Sequence, residues 1–142
     1  MKVSIFTKTL DFPKEEMELL WSRLNKRETF CKGQPFPYHV EFETGLSEGN
    51  FTEGELNIHH GPMLSVHGTI GSIAENYRSL YYFYGSYVLS FRLVRPTLLE
   101  FSRNENNDQL TVKLTVFIKP WFEGLWKFGN GLFWSFFRGT LK

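Results

Sequence analysis

The end of the chain constrains the fold most. From Pro120 onward apolar residues recur at helical spacing, and Phe122, Leu125, Trp126, Gly129, Leu132, Phe133, Phe136 and Phe137 fall on one stripe. A helix of about eighteen residues rising about 1.5 Å each makes a rod of roughly 27 Å, long enough to cross a whole sheet. The segment before it has the other period. Leu110, Val112, Leu114, Val116 and Ile118 alternate with Thr111, Lys113 and Thr115, as in a strand with one apolar face. An apolar strand face next to an apolar helix stripe predicts a sheet closed by one long helix.

Further strands precede these two elements. Val3 to Leu10 alternates, with Val3, Ile5 and Thr7 on one face. Asp11-Phe12-Pro13 then begins a helix, with Asp11 or a neighbour as cap and Glu15, Glu16 and Glu18 near its positive end. Met17, Leu20, Trp21 and Leu24 form its buried stripe, and it ends near Asn25. Residues 26–37 contain Gly33, Pro35 and Pro37 and read as a loop, with at most one helical turn around Arg27 to Cys31. From His39 the period is two: Val40 and Phe42 alternate with Glu41 and Glu43, a turn spans Gly45 to Asn50, and Leu56, Ile58 and His60 share a face. Leu64, Val66 and Ile70 continue the alternation. Gly85-Ser86 reads as a two-residue type II′ loop, which sets Tyr84 opposite Tyr87, Tyr82 opposite Leu89, Leu80 opposite Phe91 and Arg78 opposite Leu93. Leu98 to Ser102 and Leu110 to Lys119 flank a polar turn at Asn104 to Asp108.

The order is strand, helix, a run of antiparallel strands, then one long helix, which defines an α+β class. The expected architecture is a curved antiparallel sheet wrapped around the C-terminal helix, one domain over residues 1–142. Gly129 lies in the stripe with Gly124 and Gly131 beside it. Either the helix backbone approaches the sheet closely there, or the missing side chains leave a void beside the large rings.

Composition narrows the function. The formal charge is +1, so there is no basic excess to hold a phosphate backbone, and nucleic-acid binding is excluded. With 22% charged and 42% hydrophobic residues the chain is globular rather than disordered. Cys31 is the one cysteine, so no internal disulfide forms, and no leader-like or membrane-spanning stretch is evident. A reducing cytoplasm is the expected compartment. The 18% aromatic content calls for a thick core or a lined cavity.

Three places resemble the START-like (SRPBCC, helix-grip) superfamily, which includes polyketide cyclases, plant pathogenesis-related proteins and lipid carriers. The first is Asp11-Phe12-Pro13-Lys14-Glu15-Glu16 running into Leu20-Trp21-Ser22-Arg23-Leu24. The second is Leu99-Glu100-Phe101-Ser102, a polar turn and Gln109 to Val116. The third is the closing helix, ending Phe137-Arg138-Gly139-Thr140-Leu141-Lys142. The resemblance implies a helix-grip fold with a hydrophobic cavity between the sheet and the C-terminal helix, and no shared catalytic residue. It also implies a second short helix after the first, which residues 25–37 supply poorly.

Polar residues near that cavity have alternative readings. His59 and His60 are strand neighbours pointing to opposite faces, so they do not share a metal, and His39 and His67 have no carboxylate at a ligand-like helical spacing. No metal and no cofactor are expected. His60, beside Leu56 and Ile58, is a strand-end residue or the polar anchor of a ligand. Arg78 either snorkels at the sheet edge or anchors an anionic group. The pairs Glu41–Glu43 and Glu53–Glu55 read as solvated faces. Trp121, Trp126, Phe128 and Trp134 with Lys119, Lys127 and Arg138 would suit an interfacial helix. A buried helix comes first, and the ring surface of Trp134 and Phe128, off the stripe, is a dimer contact, a lipid-facing portal with transient membrane contact, or simple thickness of core.

The sequence thus predicts binding of a hydrophobic small molecule or lipid. Trp126, Phe133, Phe122, Tyr82, Tyr87 and Phe91 are the expected lining, and His60 or Arg78 the anchor. The alternatives are a cyclase or dehydratase acting on a polyketide-like substrate, with His60 or a tyrosine as acid or base, and an interaction module with a closed core.

Overall fold

The computed structural model describes residues 1–32, 38–61, 64–85 and 93–141. Strand β1 (Lys2–Asp11) leads into helices α1 (Lys14–Arg23) and α2 (Arg27–Lys32). Strands β2 (His39–Phe42), β3 (Leu56–Gly61), β4 (Leu64–Ile73), β5 (Tyr77–Gly85), β6 (Val94–Arg103) and β7 (Gln109–Ile118) follow. A 3₁₀ turn (Pro120–Phe122) then opens helix α3 (Glu123–Leu141). The strands form one antiparallel sheet in the order β1-β7-β6-β5-β4-β3-β2. Its register shifts between His67 and Gly68, between Ile70 and Ile73, and between Pro96 and Leu98. Such irregularities bend strands and increase their twist. No helix among the described residues is long and apolar enough to cross a membrane.

The strongest predicted strand forms as expected: Leu110, Val112, Val116 and Ile118 are all buried. In β1 the faces are assigned the other way round. Val3 and Ile5 are exposed, while Ser4, Phe6 and Leu10 turn to the core, where Phe6 meets Trp126 edge-on at 6.2 Å. Met17, Leu20, Trp21 and Leu24 are buried along α1 as their spacing predicts. The residue before that helix is Pro13, with no side-chain cap, so Asp11 is not a cap. Its carbonyl instead accepts a hydrogen bond from Arg138 of α3.

Two expectations are corrected. The segment read mainly as loop contains α2, a second short helix tied down by backbone hydrogen bonds from Arg27 to Gly49 and from Phe51 to Asn25. The register of β5 also differs from the tight-hairpin reading: Arg78 lies opposite Phe101, not Leu93, and Leu80 lies opposite Leu99, not Phe91. This pairing lets Leu80, Leu99 and Phe101 share the core, while β6 also pairs with β7 through Leu99–Leu114 and Phe101–Val112. Ser86, Tyr87, Leu89 and Phe91 lie outside the described residues.

The single stripe expected on α3 splits in two. Trp126, Trp134 and Phe137 are buried, and Phe122 and Phe133 pack partly against the core. Trp121, Leu125, Phe128, Leu132 and Phe136 are each more than half exposed. Trp134 therefore belongs to the core rather than to an outer surface. A Cβ added at Gly124, Gly129 or Gly131 meets no described atom within 4 Å, so close backbone packing does not explain these glycines.

Candidate functional site

A pocket opens on the inner face of the sheet between β2–β6 and the α1–α2 corner. Leu24 and Phe30 come from the helices, Val40 and Phe42 from β2, and Ile70, Leu80, Leu99 and Phe101 from β4, β5 and β6. These walls are apolar because alternate strand residues face the core. The pocket opens to solvent but is narrow, with a cavity volume of about 30 Å³. At about 10–15 Å³ per water, that is room for a pair of waters. In this form the pocket is closed down around its rings.

Polar groups are set into this wall at few places. Asn57 and His59 project from alternate positions of β3, opposite Phe42 and Val40 of β2, so all four side chains share the inner face. Asn57 is buried, and its Oδ1 has no hydrogen-bond partner among the described residues. Gly68 on β4 leaves the space for it, since a Cβ there would stand 2.9 Å from that oxygen. His59 is partly exposed, but its Nε2 is sealed from solvent and also has no partner among the described residues. The ring meets Tyr82 edge-on at 5.3 Å. Burial, assisted by the neighbouring charge of His60, pushes the His59 pKa down to about 4, so the imidazole is neutral at pH 7. Ser79 is satisfied: its Oγ accepts from the Ser72 N–H at 2.8 Å.

Arg78 is buried in the same wall rather than snorkelling at the sheet edge. Its Nε donates to Asn25 Oδ1 and its Nη1 to the Tyr77 carbonyl, while the guanidinium carbon lies 4.5 Å from the centre of the Trp21 ring. Burial and then the charge of Arg103 pull its pKa down from the ordinary arginine value. Among the described residues these partners are all neutral, so Arg78 brings a positive charge to the pocket wall.

Of the residues expected to line a cavity, Arg78 lies in the wall and Tyr82 stands beside His59. Trp126, Phe133 and Phe122 are not among the lining of this pocket: Trp126 packs on Phe6, Phe133 stacks on Phe137, which meets the lining ring of Phe30, and Phe122 packs partly against the core. Tyr87 and Phe91 lie outside the described residues. His60 is corrected. It faces outward, stacked on His39, because its β3 neighbours Asn57 and His59 take the inner face. Leu56 and Ile58 suggested the opposite assignment by their hydrophobicity. The signal that finds the true face is cross-strand: partners in a ladder point the same way, and Val40 and Phe42 carry their partners inward. The Glu53–Glu55 reading also changes, since Glu53 is exposed while Glu55 is buried and paired with Arg27.

The sequence matches no protein-family model and no curated protein. The fold does have solved counterparts. A protein from Nitrosospira multiformis, 14% identical, aligns over 98% of this chain and 92% of its own with a TM-score of 0.57. Ara h 8.0201, 15% identical, aligns over 98% of each chain with a TM-score of 0.55. Major latex-like protein 151 from Panax ginseng, 10% identical, aligns over 93% of this chain and 96% of its own, also at 0.55. The chain therefore shares the fold of these solved structures, a curved antiparallel sheet closed by one long C-terminal helix.

Proposed function

We propose that this chain is a one-domain binder of a hydrophobic small molecule or lipid with an oxygen-bearing head group. The observation that carries the reading is a pair of polar atoms, Asn57 Oδ1 and His59 Nε2, that find no partner among the described residues in a pocket walled mostly by apolar side chains. Buried polar groups left unpaired cost about 1–3 kcal/mol each, so a ligand that satisfies them is favoured beyond its apolar burial. A ligand hydroxyl or protonated carboxyl donates to Asn57 Oδ1, the neutral imidazole bonds a second oxygen, and Arg78 favours negative charge nearby. Ligands of ordinary size fill roughly 300–1,000 Å³, so the wall rings must move outward to seat one. Binding of a fluorescent fatty acid should weaken at least about tenfold in both Asn57→Leu and His59→Leu, the cost of one good hydrogen bond. Unchanged affinity in both folded variants would contradict the reading.

The cyclase or dehydratase alternative has less support. His60, its first candidate base, faces outward, and His59, whose pKa is about 4, is a weak base at neutral pH. We assign the exposed stripe Trp121, Leu125, Phe128, Leu132 and Phe136 to transient membrane contact during ligand exchange in the cytoplasm. The protein should sediment with phosphatidylglycerol vesicles, and the Leu132→Glu/Phe136→Glu double variant should not. If neither sediments and the double variant turns a dimer into a monomer, the stripe is instead an interface between two copies.

A further inference from the structure

Strand β2 is the edge of the sheet, and its outer face carries a cluster that no single stretch of sequence displays. His39 and Glu41 are two residues apart on one strand and so share a face. His60 lies directly opposite His39 across the antiparallel ladder. Three donor side chains therefore converge. His39 Nε2 stands 3.8 Å from Glu41 Oε1, and His60 Nε2 stands 3.5 Å from Glu41 Oε2. The two imidazoles stack at 4.7 Å with 16° between their planes. One ligand atom from each residue lies within 4.8 Å of the other two.

These contacts are too long for good hydrogen bonds, and His60 Nε2 is sealed from solvent with no hydrogen-bond partner among the described residues. The three groups gather without satisfying one another. In a tetrahedral zinc site with bonds of about 2.0–2.1 Å, neighbouring donor atoms stand about 3.3 Å apart. The observed separations of 3.5 and 3.8 Å run to different Glu41 oxygens, and the stacked rings aim their nitrogens in parallel. Closure to that spacing takes a turn of His39 off His60 and a shift of Glu41. His39 and Glu41 have exposed side chains, so their rotamers have room to make it. Two imidazoles and one carboxylate suit a zinc-like first-row cation, whereas Mg²⁺ and Ca²⁺ prefer all-oxygen shells.

We propose that His39, Glu41 and His60 form a binding site for one divalent zinc-like cation, with water in the fourth position. The ion bridges β2 to β3. The opposite faces of these strands carry Val40, Phe42 and His59 into the pocket wall, so the ion would fasten the pocket's outer edge.

The test is calorimetric titration of chelator-treated, full-length protein with Zn²⁺, repeated with Co²⁺ to read the visible absorption of a tetrahedral centre. The expected result is one Zn²⁺ per chain, a melting temperature that rises with Zn²⁺ and falls back on adding chelator, and no response to Mg²⁺. His39→Ala and Glu41→Gln, both at exposed positions, should each weaken Zn²⁺ binding by at least about tenfold. Failure of the wild type to bind Zn²⁺ at micromolar concentration would overturn the proposal. So would binding that persists unchanged in both folded variants.

Discussion

Replacing Arg27 by Met should lower the unfolding free energy by about 3–5 kcal/mol, the usual cost of leaving one member of a buried ion pair alone. Arg27 and Glu55 are each only 8% exposed. The guanidinium grips the carboxylate with two bonds, Nε to Oε1 at 2.9 Å and Nη2 to Oε2 at 3.1 Å. Its third nitrogen, Nη1, donates to the Glu48 carbonyl at 2.9 Å. Glu55 also accepts from the Thr44 hydroxyl and the Thr52 N–H. Burial alone would raise the Glu55 pKa, but the bonds from Arg27 and Thr52 together with the arginine charge outweigh it, and the net shift is downward. Without Arg27 the same burial acts on an unpaired carboxylate. Urea denaturation checks the value, and an Arg27→Met/Glu55→Met double variant should recover most of the loss. The pair matters for the site because it ties α2 to the segment before β3. Phe30 and Phe51, from those two segments, both line the pocket.

Stability should also fall as the pH drops from about 6.5 towards 4, through His59. An unfolded histidine takes up its proton near 6.5, whereas the native imidazole resists until about 4 because burial, and next the charge of His60, disfavour its cation. Within that window the unfolded state binds more protons, so acid favours unfolding, and above pH 6.5 the effect is absent. The shift corresponds to about 2–3 kcal/mol, allowing for the partial exposure of the residue. Denaturation midpoints at pH 7 and pH 4.5 for the wild type and His59→Gln would measure it. The variant should lose most of the difference between the two pH values. An equal pH dependence in both proteins would show that His59 does not cause it.

The elements with strong periodicity were the legible ones. Leu110, Val112, Val116 and Ile118, and Met17, Leu20, Trp21 and Leu24, are buried as their spacing selects, with Leu114 partly so. Where long-range pairing decides a face or a register, local pattern misled. Leu56 and Ile58 look like core residues beside Asn57 and His59, yet the ladder with Val40 and Phe42 turns the polar pair inward. Gly85-Ser86 looks like a tight hairpin, yet Leu80 finds Leu99 because β6 also has to meet β7. Helix α3 shows a further limit of periodicity: a wide apolar stripe does not say which half faces the sheet. Arg78 was legible as a candidate anchor, whereas its shelter against Trp21 and Asn25 depends on how α1 packs, which no local pattern encodes.

The central claim is that the pocket between the sheet and the α1–α2 corner holds an apolar ligand through Asn57 and His59. The most direct measurement is native mass spectrometry of the purified protein, with solvent extraction and identification of whatever is released. The account predicts a discrete added mass belonging to a lipid or other apolar molecule with an oxygen-bearing head, reduced in occupancy in His59→Leu. A clean apo mass, with no change in tryptophan fluorescence across fatty acids, quinones and polyketides, would contradict it and leave a closed core.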